Sequence, residues 1–243
     1  MINKSKNVCV LFSGGSDSTL TAALLAKDFK NIHLLTFKFS GIVLPEKSSV
    51  NAMRLKNFFK NTNFLHKIID VDKYFKNFYY EKFFTYFKKY GLYVENICVA
   101  CKMAMITGAI EYAFQNQIFT IASGANKRSR FVFADQMEPN ITLLRKILKN
   151  YGFEYLTPVY EIERSDWELY KMGITPVKDI KYPSPIAYKN QPGCYYGKMH
   201  SIYVHGYFFP IYGRKKFLQV ACKHFKDKIE ILKTFLEKFK IHS

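Results

Sequence analysis

Acidic residues are scarce in this chain: 19 Asp and Glu stand against 37 Lys and Arg, a formal net charge of +18 over 243 residues. That balance disfavours an acidic, solvating chain and favours a polyanionic partner. Lys, Asn, Ile, Phe and Tyr are all abundant, as an AT-rich genome would produce, but coding bias explains the shortage of acids less well. Cysteines are few and odd in number, five in all, which does not suggest a disulfide framework. No apolar run reads as approaching the ~18–20 residues that span a bilayer. The stretch Met1 to Lys6 has no apolar signal-peptide region and no cleavage site. These absences lead us to expect a cytoplasmic protein with no membrane partner. What remains, 49% hydrophobic and 23% charged, supplies a real core in one large domain or a domain plus an appendage.

The P-loop lysine is also missing. Ser13-Gly14-Gly15-Ser16-Asp17-Ser18-Thr19 has glycines and hydroxyls, but G-x-x-x-x-G-K-[ST] occurs nowhere. The stretch lies between an apolar run, Val8 to Phe12, and an apolar helical pattern from Ser18 to Phe29. Paired glycines between a strand and a helix allow a sharp turn and close backbone approach to an anion. Converging N–H groups and the helix dipole then favour a phosphate.

The rest of the chain alternates strand and helix patterns. Ile32–Phe37 and Phe64–Val71 read as strands, Asn51–Phe59 as the helix between them. Ala100–Phe114 reads as a helix, Ile118–Ala122 as a strand, Pro139–Leu148 as a helix and Leu156–Val159 as a fifth strand. Ser165–Met172 reads as a short helix with Ser165 as its N-cap, and Phe217–Phe239 as a basic C-terminal helix. Such alternation predicts a parallel α/β sheet. Ile180–Gly197, rich in proline and glycine, reads as a loop. The expected units are 1–180 and a C-terminal extension, 181–243. Lys73–Tyr90 interleaves lysines and aromatics. Phe75, Tyr79 and Phe83 fall on one helical face, either as a core stripe or as a surface for bases and phosphates.

Cys98-Val99-Ala100-Cys101 opens a helix, so both sulfurs share a face near an N-terminus that favours thiolate. Cys194 sits far along the chain in Gln191-Pro192-Gly193-Cys194-Tyr195. Cys9 and Cys222 occupy apolar positions and read as small core residues. The first three could bind zinc with His200 or His205, could form a Cys101–Cys194 persulfide or disulfide pair, or could be merely buried.

The S-G-G-x-D-S pattern resembles the PP-loop of the ATP pyrophosphatase superfamily. With the CxxC and the later cysteine, the chain resembles PP-loop tRNA sulfur transferases of the 2-thiocytidine and 2-thiouridine synthetase type. The resemblance implies an open parallel sheet with helices on both faces, Rossmann-like and similar to adenine nucleotide alpha-hydrolases. It also implies ATP and Mg²⁺, with cleavage to AMP and pyrophosphate and AMP transfer to a carbonyl oxygen that sulfur then displaces. Ser13, Gly14, Gly15, Ser16, Asp17 and Ser18 would hold pyrophosphate, Asp17 sharing the Mg²⁺. Thr36 and Phe37 would meet the adenine, and Gly124 the phosphates. Cys98, Cys101 and Cys194 would ligate a 4Fe-4S cluster, making Asp17, Cys101 and Cys194 the catalytic set. tRNA and a sulfur donor are the implied partners, and a homodimer is allowed.

The stretch Ser123 to Arg130 departs from the pattern. Asn126, Lys127 and Arg128 stand where the resembling enzymes often carry histidine and acidic residues. Lys127, Arg128 and Arg130 could meet ATP or RNA phosphate, or form a solvated loop. Two rivals stand beside this reading. One is a PP-loop ligase on a small molecule, forming an amide or a deazaguanine nitrile, or inserting sulfur, with structural zinc. The other is a nucleic-acid-binding protein with a vestigial ATP site, against which the intact hexapeptide argues.

Overall fold

In the computed structural model, which describes residues 7–91, 95–177 and 191–241, β1 (Asn7–Leu11) leads through a glycine turn into α1 (Ser16–Leu25). β2 (Asn31–Lys38), a two-residue β3 (Ile42–Val43), α2 (Ser49–Phe58) and β4 (Asn63–Asp70) follow. α3 (Asp72–Phe78), α4 (Phe83–Tyr90) and α5 (Glu95–Gln115) precede β5 (Thr120–Ser123). Then come α6 (Glu138–Asn150), β6 (Glu154–Leu156) and α7 (Ser165–Lys171). β7 (Gly193–Cys194), α8 (Tyr195–Tyr203) and α9 (Phe209–Ile241) close the described chain.

Five strands make one parallel sheet in the order β4-β2-β1-β5-β6. This is the α/β architecture with helices on both faces that the sequence predicts. Central β1 explains why its sequence is continuously apolar: both its faces are covered. Alternate residues go to opposite sides. Val8, Val10 and Phe12 pack with Leu20, Leu55 and Leu169 of α1, α2 and α7. Cys9 and Leu11 pack toward α5, with Val99, Met103 and Ile106. At the amino ends, Asn7, Asn31 and Asn63 stand in register. Asn31 Nδ2 donates to Asn7 Oδ1 at 2.8 Å, and Asn63 Nδ2 to Asn31 Oδ1 at 3.2 Å. That amide row fixes the register from one end and leaves the carboxyl ends open.

Several expectations are corrected. Ile97–Gln115 of α5 is, by length and composition, apolar enough to cross a membrane, yet most of it is buried inside the fold. It is the core helix, flanked by the sheet and α9. The aromatic stretch from Lys73 is two helices, α3 and α4, joined by a 3₁₀ turn, Tyr80–Lys82. Phe75 and Phe78 enter the core, while Phe84 and Phe87 stay exposed. β6 lies at Glu154–Leu156, earlier than expected, since Pro158 lacks the N–H a strand needs. Ser165 is the first helical residue of α7 with Arg164 at the cap position, and its buried Oγ has no hydrogen-bond partner among the described residues. The expected loop is helical from Tyr195 onward, and its residues 180–190 lie outside the described chain. From residue 191 on, the C-terminal segment adds to the main core: Phe217, Ala221, Phe225, Ile229 and Leu232 of α9 join the cluster built around α5.

Candidate active site

The chain leaves β1 toward β2 on one side and returns from β4 to β5 on the other. Strand order therefore reverses beside β1, and the carboxyl ends of β1 and β5 open a crevice there. A cleft of about 310 Å³ occupies it. Ser13, Gly15, Ser16, Asp17 and Ser18 line one wall, Thr36 and Phe37 another, and Gly124 a third, with Cys194 at the mouth of the same cleft. Chain topology thus gathers segments that are far apart in sequence.

The loop at its centre is held by its own hydroxyls. Ser18 Oγ donates to the Gly15 carbonyl at 3.1 Å and Thr19 Oγ1 to the same oxygen at 2.8 Å. Gly14 has φ +71°, a region glycine enters without Cβ strain. Its carbonyl accepts from Asn51 Nδ2 at 2.7 Å, a buried amide on α2 that no local motif announced. Gly15 is the N-cap of α1, and no side chain caps that end among the described residues. The first N–H groups of α1 therefore have no intrahelical partner, and Ser16, Asp17 and Ser18 of that turn line the cleft, an arrangement suited to an anion.

Gly124 has a steric reason to be glycine. A Cβ there would sit 2.7 Å from the Ser18 backbone nitrogen and 2.8 Å from the Asp17 carbonyl carbon. The turn after β5 presses directly on the start of α1. From the same turn, Asn126 Nδ2 donates to Asp17 Oδ1 at 3.3 Å, and Arg128 pairs with that oxygen at 3.6 Å. Arg128 is therefore a partner of the loop's carboxylate. Lys127 instead pairs with Glu161 at 2.8 Å. Thr36, expected near adenine, is buried and donates to the Phe12 carbonyl at 2.7 Å beside Ser48 and His66.

Cys194 reaches the cleft by strand pairing. β7 runs antiparallel to β3, with Cys194 opposite Ile42, so the residue is pinned beside the turn after β2. Tyr195 N donates to the Gly41 carbonyl at 3.1 Å. The sulfur then caps α8, accepting from Gly197 N at 3.2 Å. Cys101 lies close enough to feel Cys194 electrostatically: burial raises its thiol well above the usual range, and Cys194 and Asp135 raise it further. The expected thiolate-favouring helix start is thus overruled by desolvation. Neither Cys101 nor Cys98, one turn earlier, lines the cleft itself. Among the described residues no three His, Cys, Asp or Glu side chains stand together as a metal site. Cys98, Cys101 and Cys194 are not gathered into such a group. His200 is buried with Nε2 against the Val132 carbonyl, and His205 is exposed. Cys9 is fully buried, its thiol pushed up to about 12 by burial. Cys222 is half-buried against the core.

A buried ion pair also lines the cleft. Lys102 and Asp135 line the cleft and approach to 3.7 Å, both nearly buried. Burial opposes charge on Lys102, but Tyr155, Asp135 and Cys101 around it hold its pKa above the usual value. Burial raises the Asp135 carboxyl, and Lys102 pulls it back. A fixed cation beside two thiols and a phosphate loop is suited to anionic chemistry.

A family model described as "Queuosine biosynthesis protein QueC" matches residues 7–202. None of the curated proteins compared with the chain matches it. Among solved structures, a 4-thiouridine synthetase–RNA complex with bound ATP superposes at TM-score 0.58 and 13% identity, over 98% of this chain and 54% of that one. This chain therefore spans about half of that protein's length, and the likeness is one of fold. The U34-tRNA thiolase NcsA from Methanococcus maripaludis, with its 4Fe-4S cluster, gives TM-score 0.45 and 16% identity, over 96% and 74% of the two chains. NMN synthetase from Francisella tularensis gives 0.44 and 16%, over 84% and 78%. The fold, the glycine-serine loop and the family match agree: the chain belongs to the QueC family, within the PP-loop ATP pyrophosphatase superfamily.

Proposed function

We propose that this ATP-utilising protein adenylylates a carbonyl oxygen of a nucleobase, in tRNA, and exchanges that oxygen for sulfur. The observation carrying the reading is that Cys194 opens into the cleft of the phosphate loop with Cys101 nearby. The acceptor oxygen attacks the α-phosphorus, and pyrophosphate leaves into the cradle of Ser13 to Ser18. A Mg²⁺ shared with Asp17 would neutralise charge on the phosphates. An external persulfide donor passes its outer sulfur to the Cys194 thiolate and leaves as its thiol; the terminal sulfur of the Cys194 persulfide then attacks the activated carbon while AMP leaves with the oxygen. Cys101 then attacks the Cys194 sulfur. This releases the thiocarbonyl and leaves a Cys101–Cys194 disulfide, which an external dithiol reduces.

The family match favours a second reading. The same adenylylation would act on the carboxylate of a deazaguanine-type base, and ammonia would attack. The cysteines would then be structural. Mass analysis of products from both acceptors, with a persulfide donor and with ammonia, separates the two. Under the first reading Cys101→Ala and Cys194→Ala abolish thiolated nucleoside while ATP-dependent pyrophosphate release continues, and Cys98→Ala retains product. A nitrogen-bearing product made equally well by both cysteine variants, with no thiolated nucleoside, establishes the second.

A further inference from the structure

α8 does not end cleanly. It passes through one π-helical segment, Val204–Phe208, into α9, and such segments recur at functional sites. From half-buried Tyr203 at the end of α8, an aromatic row runs through this segment to the start of α9, with Tyr207 and Tyr212 exposed. Tyr203 and Tyr207 rings lie 5.4 Å apart, Tyr207 and Tyr212 rings 6.2 Å apart. Tyr207 and Tyr212 are each about half exposed, at 47% and 48%. Gly213, at φ +73°, breaks the helix immediately afterwards.

The next three residues are Arg214, Lys215 and Lys216, all exposed. They occupy the first turn of the helical segment that follows the break. The helix dipole disfavours cations there, and three adjacent like charges repel. An anion seated among them relieves both costs. No Asp or Glu occurs anywhere from Gln191 to Lys226, so this stretch is basic along its whole length.

We propose that this ledge, Tyr203 to Lys216, grips a single-stranded segment of RNA, with bases on the tyrosines and phosphates on the basic trio. The inference rests on the RNA acceptor proposed above and adds where that acceptor is held. Aromatic faces alternating with cations are how sequence-tolerant single-strand binding is built, since every base can stack and every nucleotide carries a charge. The ledge also begins at the chemistry. Cys194 caps α8, whose exposed Tyr195, Lys198 and Ile202 lead from the cleft mouth to Tyr207. An unpaired strand lying there would place a base at the cleft. A membrane seated on the same face would stand against that mouth.

Fluorescence anisotropy with a short labelled oligoribonucleotide of mixed sequence, single-stranded and as its duplex, tests this directly. The wild-type protein should bind the single strand more tightly than the duplex. Tyr207→Ala combined with Tyr212→Ala should weaken single-strand binding about tenfold or more, with an unchanged salt slope. Reversing Arg214, Lys215 and Lys216 to Glu should weaken binding and flatten the slope by roughly 0.7 for each phosphate that is no longer neutralised. All substitutions are on exposed side chains, and an unchanged circular dichroism spectrum checks the fold. Wild-type affinity in the tyrosine variant, preference for the duplex, or binding only to phosphatidylserine-containing vesicles overturns the proposal. RNA bound as expected but never thiolated leaves the ledge standing and removes the sulfur reading instead.

Discussion

Two glycines of the cleft make a matched pair at the scale of single residues. A methyl at Gly124 meets the backbone of Ser18 and Asp17, whereas a methyl at Gly15 meets the Oε1 end of the Gln191 side chain. Backbone cannot move without moving the phosphate loop; a glutamine amide rotates away. Gly124→Ala should therefore reduce pyrophosphate release at least about tenfold, since shifts of about an ångström at a reacting centre cost that much or more. Gly15→Ala should cost far less. Steady-state pyrophosphate assays on both variants, with circular dichroism as the fold control, check the contrast. Equal losses in the two would mean that the contact between the β5 turn and α1 does not position the loop.

At the scale of elements, the packing of α4 on α9 carries a buried amine. Lys228 is fully buried, with Nζ donating to the Phe78 carbonyl and lying 3.6 Å from the Tyr86 ring centroid. Burial lowers its pKa to about 7, against about 10.4 in an unfolded chain. Between those values the unfolded chain binds more protons, so stability rises with pH. From about pH 7 to 8 the gain should be on the order of 1 kcal/mol. Urea unfolding at both values should show it, and Lys228→Met should remove it. A wild-type protein equally stable at both values would contradict the burial argument.

The elements also show what a linear reading can see. β1, β2, α1 and the loop between them were legible because apolar runs, glycines and hydroxyls are local signals. So was the parallel sheet, which follows from alternation alone. The break of Lys73–Tyr90 into two helices was not, because its aromatics satisfy a helical period throughout, while Tyr74, Phe75, Phe78 and Tyr86 are buried and Phe84 and Phe87 stay exposed. Asn51 and Lys102 were silent for a different reason: each is an ordinary helix residue until tertiary packing sets Asn51 against the Gly14 carbonyl and Lys102 onto the cleft. Lys127 and Arg128 look alike in sequence, and only the placement of Glu161 and Asp17 separates their roles.

The whole molecule places one central strand and one core helix between the chemistry and its support. The site draws on β1, β2, β5 and β7, and α9 closes the core beneath them through α5. The central claim about this assembly is that ATP is split between its α- and β-phosphates by an acceptor oxygen and not by water. Cleavage carried out in heavy-oxygen water, with the acceptor present, tests that claim most directly through the mass of the AMP formed. The account predicts AMP without label, because its new oxygen comes from the acceptor. AMP carrying solvent oxygen, or ADP in place of AMP, would contradict it.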